Sequence, residues 1–408
     1  IPCFNPNTDL PMTRETDSTP SPIAAGPDID RGEETTIREP LNPVCRRIVA
    51  FLGTVLSIIC LAWAVGLHTA IGIPLHNEQF LSTVLGLSIA IAFTAVSVRG
   101  RPHVAVPMVD ITLGTIGLLS CLWIAIFYPR LMLDVGYRTP EIVVLACIVF
   151  LLVLETLRRC TGWALLIVVL VFMAYAMVAH LMPADIRGKP QAIGPLVVYL
   201  SFDPSAVFGS PLLIGSTVVI MFIWMGETLM RSGGGEFFRD LALAAMGRRR
   251  GGPAKICVVG SALFGTISGS AVSNVASIGV FTIPMMKRAG YSARDAGAIE
   301  AVGSTGGQLM PPVMGASAFL MAEFLEMPYA EIALAATIPA ILYYWGLYCQ
   351  VDLIAGRDRL KRFTESIPEV LTVLKEGWHF AIPFAALLVT MFSFEKSPEI
   401  SAIIATLS

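Results

Sequence analysis

Charge is scarce in this chain. Only 14% of its 408 residues are Asp, Glu, Lys or Arg, against about 25% in an ordinary soluble protein. Hydrophobic residues make up 55%, and the mean hydropathy is +0.72. The deficit of charge predicts a protein that lives in a bilayer. The net charge of −2 supplies no basic balance for nucleic acid. Metal and disulfide frameworks are missing too. The eight cysteines lie far apart, mostly inside apolar runs, and no C-x-x-C occurs, so they read as small packing residues. The five histidines (His68, His76, His103, His180, His379) form neither H-E-x-x-H nor a triad-like group. No G-x-x-x-x-G-K-[ST] is present, which excludes a phosphate loop for ATP. Gly233-Gly234-Gly235 reads as a hinge or helix stop instead.

What the chain does have is apolar runs. They recur at 44–66, 80–98, 104–128, 141–157, 161–182, 206–230, 256–286, 296–325, 330–355 and 378–394. Most reach or approach the roughly 20 residues that cross a hydrocarbon core. The run 141–157 is marginal, and is expected either to span or to be re-entrant. Residues 1–43, rich in Pro, Thr, Asp and Glu, are expected to form a disordered tail. The first apolar run is long enough to span, so it is expected to be a membrane helix rather than a signal peptide. Lys and Arg in the short loops set orientation. Arg46, Arg47, Arg99, Arg101, Arg158, Arg159 and the cluster at 231–255 predict a cytoplasmic N-terminus, with the loop 183–205 outside. Arg130 and Arg138 blur this signal. Residues 236–246 are amphipathic, and read either as a helix in the interface plane or as a plain surface connector.

Two stretches are too polar and too broken for plain membrane helices. The first is Gly265-Thr266-Ile267-Ser268-Gly269-Ser270-Ala271-Val272-Ser273-Asn274. Unwinding at 265–270 would set carbonyls and amide N–H groups at membrane depth, which is tolerated only inside protein or along a polar cavity. Transporters build their ion and substrate sites this way. The hydroxyls of Ser268, Ser270 and Ser273 and the amide oxygen of Asn274 are hard oxygen ligands for a cation. A small-residue packing face is the competing account of the glycines, because Gly265, Gly269 and Ser273 recur every fourth residue. It does not explain Asn274 beside three serines.

The second stretch is Gly303-Ser304-Thr305-Gly306-Gly307-Gln308-Leu309-Met310-Pro311-Pro312. Two prolines remove two N–H donors and push Met310 to extended geometry. One helix should end near Gly303 and another begin near Pro312, its free N–H groups suited to a carboxylate. A loop at the membrane surface is the alternative, disfavoured by apolar flanks.

Three other features carry less. Arg248-Arg249-Arg250 could hold anionic headgroups or anchor a cytoplasmic loop. Glu227, Glu300 and Glu323 are carboxylates within apolar runs, and such groups are functional candidates. Glu227 has Arg231 four residues on and is expected to pair with it. Glu300 is expected at an interface, orienting the hairpin that follows.

The strings GGPAKICVVGSALFGTISGSAVSN, FTIPMMKRAGYSARDAGAIEA, STGGQLMPPVMGASAFLMAEF and IPAILYY, in this order, carry a resemblance. Over residues 45 to 360, most densely from Gly226, the chain resembles the fused small-plus-large permease of TRAP (tripartite ATP-independent periplasmic) transporters, in the branch served by TAXI-type binding proteins. The resemblance implies an all-α, polytopic fold with discontinuous hairpins, the first half of an inverted-repeat elevator. It implies a four-helix scaffold over 44–160, a half transport domain over 161–360, and the start of a second repeat over 361–408. It implies sodium-coupled import of a carboxylate-type organic anion, delivered by a periplasmic binding protein, in the bacterial inner membrane. Carried over, the sodium ligands would be Ser268, Gly269, Ser270, Ser273 and Asn274, with Gly303, Thr305, Gly306 and Gly307 closing the site. Substrate would lie near Gln308, Pro311 and Pro312.

One departure from the pattern stands out. Only one Gly-Ser hairpin of the expected pair occurs, which predicts a truncated or split permease. Two further readings compete: a nonfunctional remnant, and an intramembrane hydrolase using one of the hairpin serines. The hydrolase reading is weakened because neither hairpin holds a His, Lys or Asp base.

Overall fold

The computed structural model describes residues 43–98, 107–183, 187–189, 191–358, 360 and 367–408. The expected tail up to residue 42 and the loop 99–103 lie outside these residues. Among the described residues the fold is helical throughout, with no strand. In chain order the helices are α1 (Pro43–Ala64), α2 (Asn77–Ala95), α3 (Met108–Tyr137), α4 (Pro140–Thr161), α5 (Trp163–Leu181), α6 (Ile193–Phe202), α7 (Ser210–Arg231) and α8 (Gly234–Met246). There follow α9 (Gly252–Ser268), α10 (271–288), α11 (Ala293–Gly306), α12 (Ala316–Phe324), α13 (Tyr329–Arg357), α14 (Val370–Gly377), α15 (381–393) and α16 (Pro398–Leu407). Seven of these (α1–α5, α7 and α13) are long and apolar enough to cross a membrane.

The run 141–157 is no re-entrant fragment. Thr139 precedes Pro140 at the first helical turn, where a missing N–H costs nothing, and α4 continues for 22 residues. The loop expected over 183–205 holds α6, a helix that the three surrounding prolines disguised; its Ser201 Oγ donates to the Ala146 carbonyl at 3.0 Å.

Small residues set the closest helix packing in the first half. An ideal Cβ on Gly86 would lie 2.7 Å from Cys121 Cβ, and one on Gly117 would lie 2.7 Å from Ile89 Cγ2. Nearby, Ser82 Oγ donates to the Cys121 carbonyl at 2.7 Å. Close backbones joined by a hydroxyl are how membrane helices associate when solvent gives no hydrophobic drive. Arg159 ties the C-terminal end of α4 to α3. Its guanidinium donates to Asp110 at 2.8 Å and to Glu155 at 2.7 Å, and its side chain is 1% exposed. Outward faces keep large apolar side chains such as Phe172 and Trp345 exposed, as contact with lipid requires.

Two cores matter for the site. One joins α1–α4 to α6, α7, α12 and the start of α13 through residues such as Phe93, Phe202, Phe222, Phe319 and Tyr329. The second gathers Cys257, Met286, Ile299, Tyr344 and Val351 of α9, α10, α11 and α13. The helix α8 forms where the amphipathic pattern predicts it. Its Phe237 and Phe238 pack on Phe380 and Phe384 at ring separations of 5.4 and 6.0 Å, so its apolar side meets protein.

Candidate functional site

The first polar stretch breaks, but over a shorter length than the sequence suggests. Residues Gly265–Ser268 remain helical, and α9 ends at Gly269, whose φ of 55° is the left-handed cap that glycine adopts without a Cβ penalty. Ser270 is extended (φ −120°) and caps the next helix by accepting from the Ser273 N–H at 3.3 Å. Ser268 Oγ accepts from the Ser270 N–H at 3.4 Å. Two of the three hydroxyls expected as ligands, those of Ser268 and Ser270, therefore serve the turn. From Ala271 the chain runs on as helix to Arg288, loosened to a π-type turn over Val275–Gly279.

The second break also moves. The preceding helix continues past Gly303 to Gly306, and the next begins at Ala316 rather than near Pro312. The reason is the sharp turn between them. Met314 has φ 50°, and the Gly315 N–H donates to the Gln308 carbonyl at 2.8 Å. From α13, the Tyr329 hydroxyl reaches the carbonyls of Pro312 and Val313 at 2.8 and 2.7 Å.

The two breaks face each other. A Cβ on Gly265 would stand 2.4 Å from Gly307 Cα, and one on Gly269 would stand 1.8 Å from the Met314 carbonyl oxygen. Gly315 approaches the Gly269 carbonyl, with an ideal Cβ 3.5 Å away. Asn274 completes the junction. It is fully buried, its Nδ2 donates to the Ser261 carbonyl at 3.0 Å, and it lies beside Gly307. Its Oδ1 is buried with no hydrogen-bond partner. A buried amide oxygen left without a donor is an acceptor available to a cation.

Of the residues singled out in the sequence, Ser268, Gly269, Ser270, Asn274 and Gly307 gather at this junction, with Ser273 one turn on. Gly303 and Gly306 sit inside α11. Gly303 faces Ser261, and Gly306 lies under Tyr343 and Tyr344. Thr305 is exposed and donates to its own helix, to the Ala301 carbonyl at 2.7 Å. Gln308 packs against Gly315, while Pro311 and Pro312 are half-buried in the turn. Among the described residues, no base hydrogen-bonds to the hydroxyls of Ser268, Ser270 or Ser273.

The other carboxylates divide sharply. Glu227 accepts from Arg231 Nε at 2.9 Å, as the spacing predicts. Glu323 accepts from Ser210 Oγ at 3.0 Å. Glu300 stands on α11 facing α9 and α10, the helices on either side of the first break. It is fully buried among α9, α10 and α11, where its carboxyl meets Cys257, Thr282 and Ser304. The sequence signal was present, a glutamate amid glycine and alanine, but helix periodicity alone could not say which helices enclose it. Arg250 and Lys255 converge on Asp352, with Lys255 Nζ 2.5 Å from its Oδ1. Of the triple arginine, Arg250 pairs with Asp352, while Arg248 and Arg249 stay exposed.

Comparison with known proteins agrees with this architecture. The family described as "Tripartite ATP-independent periplasmic transporter, DctM component" matches residues 148–408, more than half the chain. The match begins later and runs further than the stretch of resemblance read from the strings. Similar proteins include a "Putative TRAP transporter large permease protein" of Haemophilus influenzae, 26% identical over 36% of this chain and 35% of its own. The "C4-dicarboxylate TRAP transporter large permease protein DctM" of Pseudomonas aeruginosa is 28% identical over 41% of this chain and 40% of its own. The "Sialic acid TRAP transporter permease protein SiaT" of Haemophilus influenzae is 27% identical over 46% and 30%. The chain spans about a third of the length of the curated relatives it matches. A helical, multiply spanning chain with two broken segments held face to face, matched over most of its length by one permease family, belongs to that family: the DctM component of tripartite ATP-independent periplasmic transporters.

Proposed function

We propose that this chain is the permease part of a sodium-coupled, binding-protein-dependent secondary transporter that imports a carboxylate-type organic anion. The observation that carries the reading is Asn274. Its buried Oδ1 has no partner, and it sits where the Gly269–Ser270 turn meets Gly307. Neutral oxygen ligands at a helix break fit a desolvated monovalent cation. Asn274 and the backbone around Gly269 and Gly307 would hold sodium, and the Ser268, Ser270 and Ser273 hydroxyls would join as the turn adjusts. Gly303, Thr305 and Gly306 support this from α11. Sodium would supply the coupling energy of import.

Substrate would lie beside the second turn, near Gln308, Pro311 and Pro312. The carboxylate class draws support from relatives whose names specify sialic acid and C4-dicarboxylate. In this reading the segment 44–160 is a small-permease-like scaffold fused to the large permease, and the partner is a TAXI-type periplasmic binding protein. The segment 161–360 carries the moving hairpin, 361–408 opens the second repeat, and the N-terminus lies in the cytoplasm of an inner membrane.

The test is sodium-specific stabilisation of the purified protein in detergent. A ligand present at 100 times its dissociation constant stabilises by about 2.7 kcal/mol. Sodium should raise the melting temperature where equal potassium or choline does not, and Asn274→Ala should remove the difference. Identical melting in all three salts overturns sodium coupling. Uptake in proteoliposomes with the binding protein added then tests the import reading.

A further inference from the structure

Among the described residues, no cation stands beside the Glu300 carboxyl. It is fully buried, and among the described residues every polar contact to it is a neutral group: Ser304 Oγ on Oε1 at 2.9 Å, Cys257 Sγ on Oε2 at 3.0 Å, and Thr282 Oγ1 on Oε2. Burying an unpaired carboxylate is costly enough that such groups commonly take up a proton. Thr282 is placed to serve either state. Its hydroxyl has one hydrogen and two lone pairs, and it lies within reach of both Glu300 Oε2 and the Ile278 carbonyl, the latter at 3.0 Å. With Glu300 ionised, that hydrogen goes to the carboxylate. With Glu300 protonated, Oε2–H donates to Thr282, which turns its hydrogen to Ile278.

We propose that Glu300 is a proton-binding site of the broken-helix domain, exchanging one proton with water through the polar face of α9. The proton adds to Oε2 from solvent and returns there, with no other bond made or broken. Cys257 and Ser261 stand four residues apart on that face, and Ser261 Oγ is buried without a partner. The Ser261 carbonyl accepts from Asn274 Nδ2, which places this face of α9 beside the helix that follows the Gly269–Ser270 turn. The titratable groups facing Glu300 are Cys257 of α9 and Tyr344 of α13, whose hydroxyl donates to the Gly303 carbonyl at 3.0 Å. Lys255 and Asp352, the charges on those two helices nearest this layer, pair with each other. Lys287, Arg288, Arg294 and Asp295 lie more than one turn away along α10 and α11. The inference stands apart from sodium coupling and requires no transport.

The test is infrared difference spectroscopy of the full chain in lipid, titrated with pH in light and heavy water. The wild type minus Glu300→Gln difference should contain one protonated-carboxyl C=O band that titrates with pH and shifts on deuteration. Thr282→Val should move the frequency of that band, because it removes the hydrogen-bond partner. Where Glu300→Gln does not fold, the Thr282→Val shift and a shift from Cys257→Ala replace it. A difference spectrum with carboxylate bands alone at every pH overturns the proposal. So does a band that follows sodium but not pH, or one that neither Thr282→Val nor Cys257→Ala moves.

Discussion

The Met314 carbonyl oxygen occupies the space that a side chain on Gly269 would need: an ideal Cβ there would stand 1.8 Å from it. Each residue is in the left-handed region, Gly269 at φ 55° and Met314 at φ 50°. For Met314 that conformation is uncommon, and it is held by the Tyr329 hydroxyl and the Gly315–Gln308 hydrogen bond on either side. Two helix breaks thus interlock through backbone alone.

Gly269→Ala should therefore be severe. Left-handed strain costs about 1–3 kcal/mol, and the clash with a backbone oxygen that no rotamer can relieve adds to it. Gly297→Ala, in the middle of α11 with nothing within 4 Å, is the control. It should be neutral or stabilise by about 0.5–1 kcal/mol through helix propensity. Thermal unfolding in detergent reads both, and equal effects would refute the interlock.

Gly265 and Gly307 should behave as one unit. A Cβ on either meets the backbone of the other, at 2.4 Å from Gly307 Cα and 2.9 Å from Gly265 Cα. Each alanine substitution alone should force α9 and the second turn apart. The double variant should cost less than the sum of the singles, by about 0.5–3 kcal/mol of coupling. Additive losses in a double-mutant cycle would separate the two sites.

Arg159 should resist its conservative replacement. Its fork reaches Asp110 and Glu155 at once, and the Val96 carbonyl at 3.2 Å. Lysine is a single point charge and cannot span all three. Arg159→Ala should cost about 3–5 kcal/mol by leaving Asp110 buried without this guanidinium. Arg159→Lys should recover less than half of it in the same melting assay.

Lys255→Met should be milder. The Lys255 side chain is 5% exposed, but its partner Asp352 is 30% exposed and keeps Arg250. We expect a loss of about 1–3 kcal/mol, since a partly solvated carboxylate with a second partner is not left stranded. Adding Arg250→Ala to Lys255→Met should then cost more than Arg250→Ala costs alone.

Much of the fold was legible because membrane helices announce themselves by length. Among the described residues seven helices are long and apolar enough to span, and their limits follow caps and prolines such as Thr139-Pro140. Both breaks were visible too, the first from small polar residues crowded over 265–274 and the second because Gly-Gly followed by Pro311-Pro312 cannot continue a helix. Their edges were not. Gly265–Ser268 and Gly303–Gly306 stay helical because their glycines serve close approach, not unwinding. A glycine in sequence does not say which of its two uses applies. The helix Ile193–Phe202 was hidden by flanking prolines, and Thr305, which the resemblance alone put at the site, donates its hydroxyl to the Ala301 carbonyl.

The sequence by itself determined a bilayer protein, helical, with two polar interruptions at membrane depth, because hydropathy and backbone restriction are local properties of neighbouring residues. Only the tertiary structure decided that the interruptions meet, that Asn274 keeps an unpaired oxygen at their junction, and that Glu300 is sealed among neutral partners. Those are relations between residues tens of positions apart. Helix packing creates them, and no period along the chain encodes which faces will touch.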